Sequence, residues 1–181
     1  MEHLLVRHCS PTFASLKVGS LVNIRNNGEN QRAIDRLVSV LPKGLSMSVL
    51  KVTERMLLIY LYNEDLLESL LENDYHRQIL LSYDYPVDST EKALLHLSLR
   101  LQRESFPHEI GLFLGYPVED VLGFIKHKGQ NYMEKGYWKV YQNVPNKLSL
   151  FEAYDDCRMR YSQLMDQGFT LQDILKHRNK E

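Results

Sequence analysis

The sequence predicts an α+β fold: a small, mostly antiparallel sheet packed by about six to eight helices, with one helix-turn-helix-like corner among them. Three observations lead there. Residues 45–52 and 55–62 are adjacent β-prone runs around Thr53-Glu54, the pattern of an antiparallel hairpin. The second run contains MLLIYLY from Met56 to Tyr62 and is apolar on both faces, so it should be a central strand covered on each side. Elsewhere, apolar residues recur with the helical period in segments of ordinary helix length.

Taken in order, the first expected helix follows Cys9-Ser10-Pro11-Thr12. Ser10 is a natural N-cap there, Pro11 suits the first helical position, and Gly19 stops the helix after Lys17 and Val18. Residues 20–25, with Leu21, Val22 and Ile24, read as a short strand before a polar loop. Ala33, Ile34, Leu37, Val38 and Leu41 mark an amphipathic helix over 29–41, closed by Pro42-Lys43-Gly44.

After the hairpin, Asn63 caps a helix bearing Leu66, Leu67, Leu70 and Leu71, which Asn73-Asp74 closes, and a short helical segment covers 77–81. Pro86 holds 83–86 in a loop, since the residue before proline resists the helical conformation. Asp88 with Glu91 reads as a capping box opening a helix to about residue 104, striped by Leu94, Leu97 and Leu101 and flanked by Leu95 and Leu99.

The segment 106–141 is the densest in turn chemistry and aromatics. Pro107 can open a helix with Glu109 in its first turn and Ile110, Phe113 and Leu114 at helical spacing. Gly115 and Pro117 turn the chain into a second helix over 118–128. Its inward positions are Val121, Leu122, Phe124 and Ile125, and Lys126, His127 and Lys128 sit near its negative end. This is the helix-turn-helix-like corner, but Glu119 and Asp120 on its early turn would repel a phosphate backbone. Gly136 reads as a turn, and 137–141 as an aromatic strand expected to join the sheet. A long helix then starts at Val144-Pro145-Asn146, with Leu150, Phe151, Tyr154, Cys157, Tyr161, Leu164 and Met165 in one stripe ending before Gly168. Thr170 with Asp173 opens a last helix carrying Leu171, Ile174 and Leu175, and the charged tail 176–181 is expected to fray.

A chain of 181 residues suits a single domain spanning 1–181. Net charge is −1 with both signs interspersed, so nucleic acid is disfavoured as a partner. The two cysteines, Cys9 and Cys157, lie far apart and read as reduced thiols. No signal peptide or membrane-length apolar run is present, which predicts a cytoplasmic protein with no membrane partner.

Four segments carry a family resemblance: CSPT with a lysine after it, from Cys9 to Lys17; FPHEIGLFLGYPVEDVLGFI, from Phe106 to Ile125; KGQNY, from Lys128 to Tyr132; and GYWKVY, from Gly136 to Tyr141. With these motifs the chain resembles an uncharacterised family of small clostridial and related bacterial proteins, a domain of unknown function. The match covers nearly the whole chain, and Phe13 departs from it by standing where a smaller aliphatic residue is expected. The resemblance implies no activity.

Three functions follow from the residues. The leading one is a binding or regulatory module for an unknown small molecule or protein, with a pocket near Cys9, His108 and Trp138; Thr12, Lys17, Tyr132, Tyr137 and Trp138 are its candidate ligand contacts. The second is a cysteine-dependent hydrolase or transferase. Cys9 just ahead of a helix N-terminus would be its nucleophile, His108 its base, and Glu109 the carboxylate orienting the imidazole. The third is nucleic-acid binding through the corner and the Lys/Tyr-rich segment after it. No cofactor fingerprint appears. His3, His8, Cys9 and His108 lack zinc-site spacing, so no metal is expected.

Overall fold

The computed structural model describes residues 1–103 and 105–177. The fold is α+β, and the chain divides into two compact units: Met1–Leu66 with Asp156–Glu181, and Leu67–Asp155. Among the described residues no helix is long and apolar enough to cross a membrane.

The first unit contains a three-stranded antiparallel sheet of order β1-β3-β2, from β1 (Gly19–Arg25), β2 (Leu45–Val52) and β3 (Met56–Asn63). The hairpin β2-β3 is the expected one, and β3 is the central strand. Its consecutive Ile59, Tyr60 and Leu61 are all fully buried, which requires cover on both faces. The register of β2 shifts between Val49 and Lys51, a bulge that turns Leu50 inward while Val49 stays exposed.

Helix α1 spans Glu2–Phe13 and packs on β1 and β3. This corrects the expected start at Pro11: the proline lies inside the helix, and Ser10 is not a cap. The Ser10 hydroxyl donates instead to the carbonyl of Val6, one turn back, as serine does within helices. Helix α2 (Gly28–Val40) is capped by Asn27, whose side chain accepts from Asn30 N at 2.8 Å, and it buries Ile34 and Leu37. Helix α9 (Leu171–His177) opens on Thr170, which exchanges hydrogen bonds with Asp173 as expected. Leu5, Val6, Cys9, Phe13, Val22, Ile24, Ile59, Tyr161 and Leu171 share one hydrophobic core. The expected fraying of 178–181 lies outside the described residues, as does Glu104.

Helix α3 (Glu64–Glu72) is capped by Asn63, which accepts from Leu66 N at 2.9 Å; the boundary between the units falls within α3 and again within α8 (Val144–Asp166). In the second unit, α4 (Asp74–Leu81) starts three residues earlier than expected because Asn73 caps it. Helix α5 (Thr90–Leu101) is capped by Ser89 rather than Asp88, whose carboxylate pairs with Lys92 at 2.6 Å. Helix α6 keeps one turn, Ile110–Phe113, and Gly115 at φ 70° leads to α7 (Val118–His127). The two helices pack against each other. Residues 107–112 begin with tight i to i+3 hydrogen bonds, such as Ile110 N to Pro107 O at 3.1 Å, so Pro107 opens a turn and not a full helix.

The expected strand 137–141 is corrected as well. Only Lys139–Val140 (β5) is extended, and it pairs with Glu134–Lys135 (β4) as a separate two-stranded ribbon. Trp138, Val140, Phe151 and Tyr154 form the core beneath this ribbon. Side-chain packing anchors it; its ladder is too short to be stable alone.

Candidate functional site

The second unit holds a recess of about 330 Å³ assembled from the 106–108 turn, α6, α7 and the β4-β5 ribbon. Ring systems surround it: Phe106, His108, Tyr116, Phe124, Tyr137 and Trp138. Each wall is fixed by another. The His108 ring lies 4.9 Å from Phe124 and 6.0 Å from Phe106 between centroids, both tilted. Tyr116 stacks on Trp138 at 4.8 Å, and the Phe151 ring stands nearly perpendicular to the indole at 4.5 Å. Such pairs contribute about 0.5–1.5 kcal/mol each beyond their buried area. Burial pushes the Tyr116 phenol up to about 12, so it stays a neutral donor.

Asp120 fixes the position of Trp138. Its carboxylate is buried in the first turn of α7, where Oδ2 accepts from Trp138 Nε1 at 2.8 Å. Oδ1 accepts from the backbone N–H of Tyr141 at 2.7 Å and of Gln142 at 3.4 Å. One side chain thus ties α7 to both ends of the aromatic segment. Sequence reasoning placed Asp120 on an exposed turn; the legible signal was its i+1 position beside Glu119, with both assigned outward. Glu119 alone faces Lys147, at 2.6 Å. The ribbon approaches so closely that a Cβ on Gly136 would stand 2.3 Å from the Phe151 ring, so only glycine fits there.

Two lysines border the recess. Lys139 Nζ donates to Gly129 O at 2.6 Å and sits 4.7 Å from the Tyr132 ring centroid and 5.7 Å from that of Phe124. Tyr132 itself is 42% exposed and does not line the recess; its contact there is with Lys139. Lys135 is exposed, and its ammonium has no hydrogen-bond or ion-pair partner among the described residues.

Glu109, between the lining residues His108 and Ile110, does not itself line the recess. It is buried, accepting from the Tyr85 hydroxyl at 3.0 Å and from Arg100 Nε, and the Arg100 guanidinium lies 5.9 Å from the Tyr85 ring centroid. Burial first, and then the Glu109 charge, hold the Tyr85 phenol far above its usual range. This cluster braces the turn that presents His108, and sequence reasoning missed Arg100 and Tyr85 because they are remote in the chain.

The remaining candidates lie in the first unit. Cys9 is fully buried, and burial pushes its thiol up to about 12 against the opposing Lys17 charge. It sits in the second half of α1, toward the negative end of the helix dipole, so the expected N-terminal activation of a thiolate is absent there. Lys17 is also buried, which pushes its amine down to about 8 against the opposing effect of Cys9. The Thr12 and Ser20 hydroxyls share a buried hydrogen bond of 2.9 Å. Among the described residues, no group of three or more His, Cys, Asp or Glu side chains could hold a metal ion.

Of the sequence candidates, then, His108, Tyr137 and Trp138 line one recess, Tyr132 supports it through Lys139, Glu109 braces it from behind, and Cys9, Thr12 and Lys17 belong to the core of the other unit. Neither a curated protein nor a solved structure matches the chain significantly. A family model does match, over residues 5–175, and so includes both the CSPT segment and the whole recess. The chain therefore belongs to the family described as Protein of unknown function (DUF3793).

Proposed function

We propose that this chain is a cytosolic small-molecule binding module whose site is the aromatic recess of the second unit. The observation that carries this reading is a recess of about 330 Å³ lined by six ring systems, one of which, Trp138, is fixed by its buried hydrogen bond to Asp120. Ligand sites run from about 300 to 1,000 Å³ and are mostly apolar with a few placed polar groups, so the recess suits a planar ligand of one or two rings.

The test uses the single tryptophan. Neutral p-cresol is titrated into 15N-labelled protein while the Trp138 indole N–H resonance is followed. Saturable movement is expected, weakened in Phe106→Ala, whose side chain is 56% exposed at the rim, and abolished in Val121→Phe, which fills the space. An indole resonance indifferent to p-cresol and to the acid, amide and amine probes described below refutes the reading. So does equal movement in Val121→Phe.

A further inference from the structure

The recess is not electrically neutral toward a guest. Among the described residues the one lining carboxylate is Asp120, which is buried and already accepts from three N–H donors of the protein, so its charge is met within the fold. On the opposite side of the balance stand Lys135 and Lys139. Lys139 gives one of its three N–H donors to the Gly129 carbonyl and lies over the Tyr132 and Phe124 rings, whereas the Lys135 ammonium has no partner among the described residues. His108 adds a ring nitrogen that makes aromatic contacts but no hydrogen bond among those residues. The lining thus carries a formal charge of +1, with one cation and one ring N–H donor left over at the exposed mouth and aromatic faces within.

From this we infer that the ligand is a carboxylic acid carried on a planar aromatic ring, the ring held within the aromatic recess and the carboxylate at its mouth, toward Lys135 and His108. The inference rests on the proposed binding function and adds the ligand's charge and orientation. A monoanion with two oxygens matches one ammonium and one ring N–H. A phosphate ester brings a second negative charge, beyond the formal +1 of the lining. A cationic ring compound would meet Lys135 with no available carboxylate to compensate.

The experiment compares three probes sharing one ring: 4-hydroxyphenylacetate, 4-hydroxyphenylacetamide and tyramine. Each is titrated against the Trp138 indole resonance at low and moderate salt. The acid is expected to bind at least fivefold more tightly than the amide, with the amine weakest and the margin shrinking with salt. Lys135→Gln and His108→Ala, both at exposed positions, should each narrow the acid-amide gap, and the double variant should close it; Lys135→Arg should retain it. Equal affinity for acid and amide, preference for the amine, or a gap unchanged in Lys135→Gln overturns the inference while leaving the binding site standing. Failure of all three probes together with p-cresol overturns the inference and the site alike.

Discussion

Asp120→Asn isolates the interaction on which the recess depends. The amide has the size and shape of the carboxylate, so packing is conserved, but it offers one acceptor oxygen and one NH2 group. In the parent, Oδ2 accepts from Trp138 Nε1 at 2.8 Å and Oδ1 from Tyr141 N at 2.7 Å. Whichever way the asparagine turns, its NH2 faces one of these donors and leaves it buried and unpaired. Hydrogen bonds to a charged group contribute about 1.5–3 kcal/mol each, and an orphaned donor adds its own desolvation cost, so the substitution should destabilise by about 2–4 kcal/mol. Asp120→Ala loses these two bonds and the longer one from Gln142 N, and should cost about 3–6 kcal/mol on the same reasoning.

Urea titrations followed at 222 nm measure these differences, and the companion variant Trp138→Phe makes them specific. With no indole donor present, the asparagine can give its oxygen to Tyr141 and its NH2 to an apolar face. The double variant should therefore show a coupling of about 1–2 kcal/mol. A cost within about 0.5 kcal/mol of zero for Asp120→Asn, the range of an ordinary surface change, would refute the argument. Strict additivity with Trp138→Phe would refute it too.

Two further outcomes concern the first unit. Burial holds the Lys17 amine at about 8 against an ordinary 10.5, so between these values the unfolded chain binds a proton that the folded chain lacks, and stability rises with pH. Cys9 acts oppositely near pH 9 and above, because its thiol stays protonated to about 12 only when folded. Cys157, whose thiol burial raises to about 11, opposes Lys17 in the same way, and both thiols begin to do so just below pH 9. The discriminating quantity is therefore the difference between proteins: the change in unfolding free energy from pH 8 to 9 should be more positive by roughly 1 kcal/mol in the parent than in Lys17→Met, and the same slope in both proteins would reject this. Separately, iodoacetamide at pH 8 should label the half-buried Cys157 before the fully buried Cys9, and peptide mapping that finds Cys9 modified first would contradict its placement.

Much of the architecture is legible in the sequence because it depends on local rules. Alternation and apolar density mark the three sheet strands, and Asn27, Asn63 and Asn73 cap helices through side-chain oxygens reaching only two or three residues ahead. The pairing of 45–52 with the apolar run after it is local as well. Pro11 shows where such rules fail: the same residue suits a first helical turn or the interior of a helix begun earlier, and burial of Leu5 and Val6 in the core favours the longer helix.

The functional candidates divide on the same line. The density of aromatics over 106–141 points from sequence alone to His108, Tyr137 and Trp138, since rings so closely spaced must either pack together or line a space. Which of these they do is a matter of three dimensions, and so are the inward turn of Asp120 across 18 residues to Trp138 and the bracing of Glu109 by Arg100 and Tyr85. Sequence determines what each side chain can donate, accept or bury. Only the folded chain decides which partners consume those capacities and which, like the ammonium of Lys135, are left for something else, because hydrogen bonds and burial depend on neighbours that chain order does not specify.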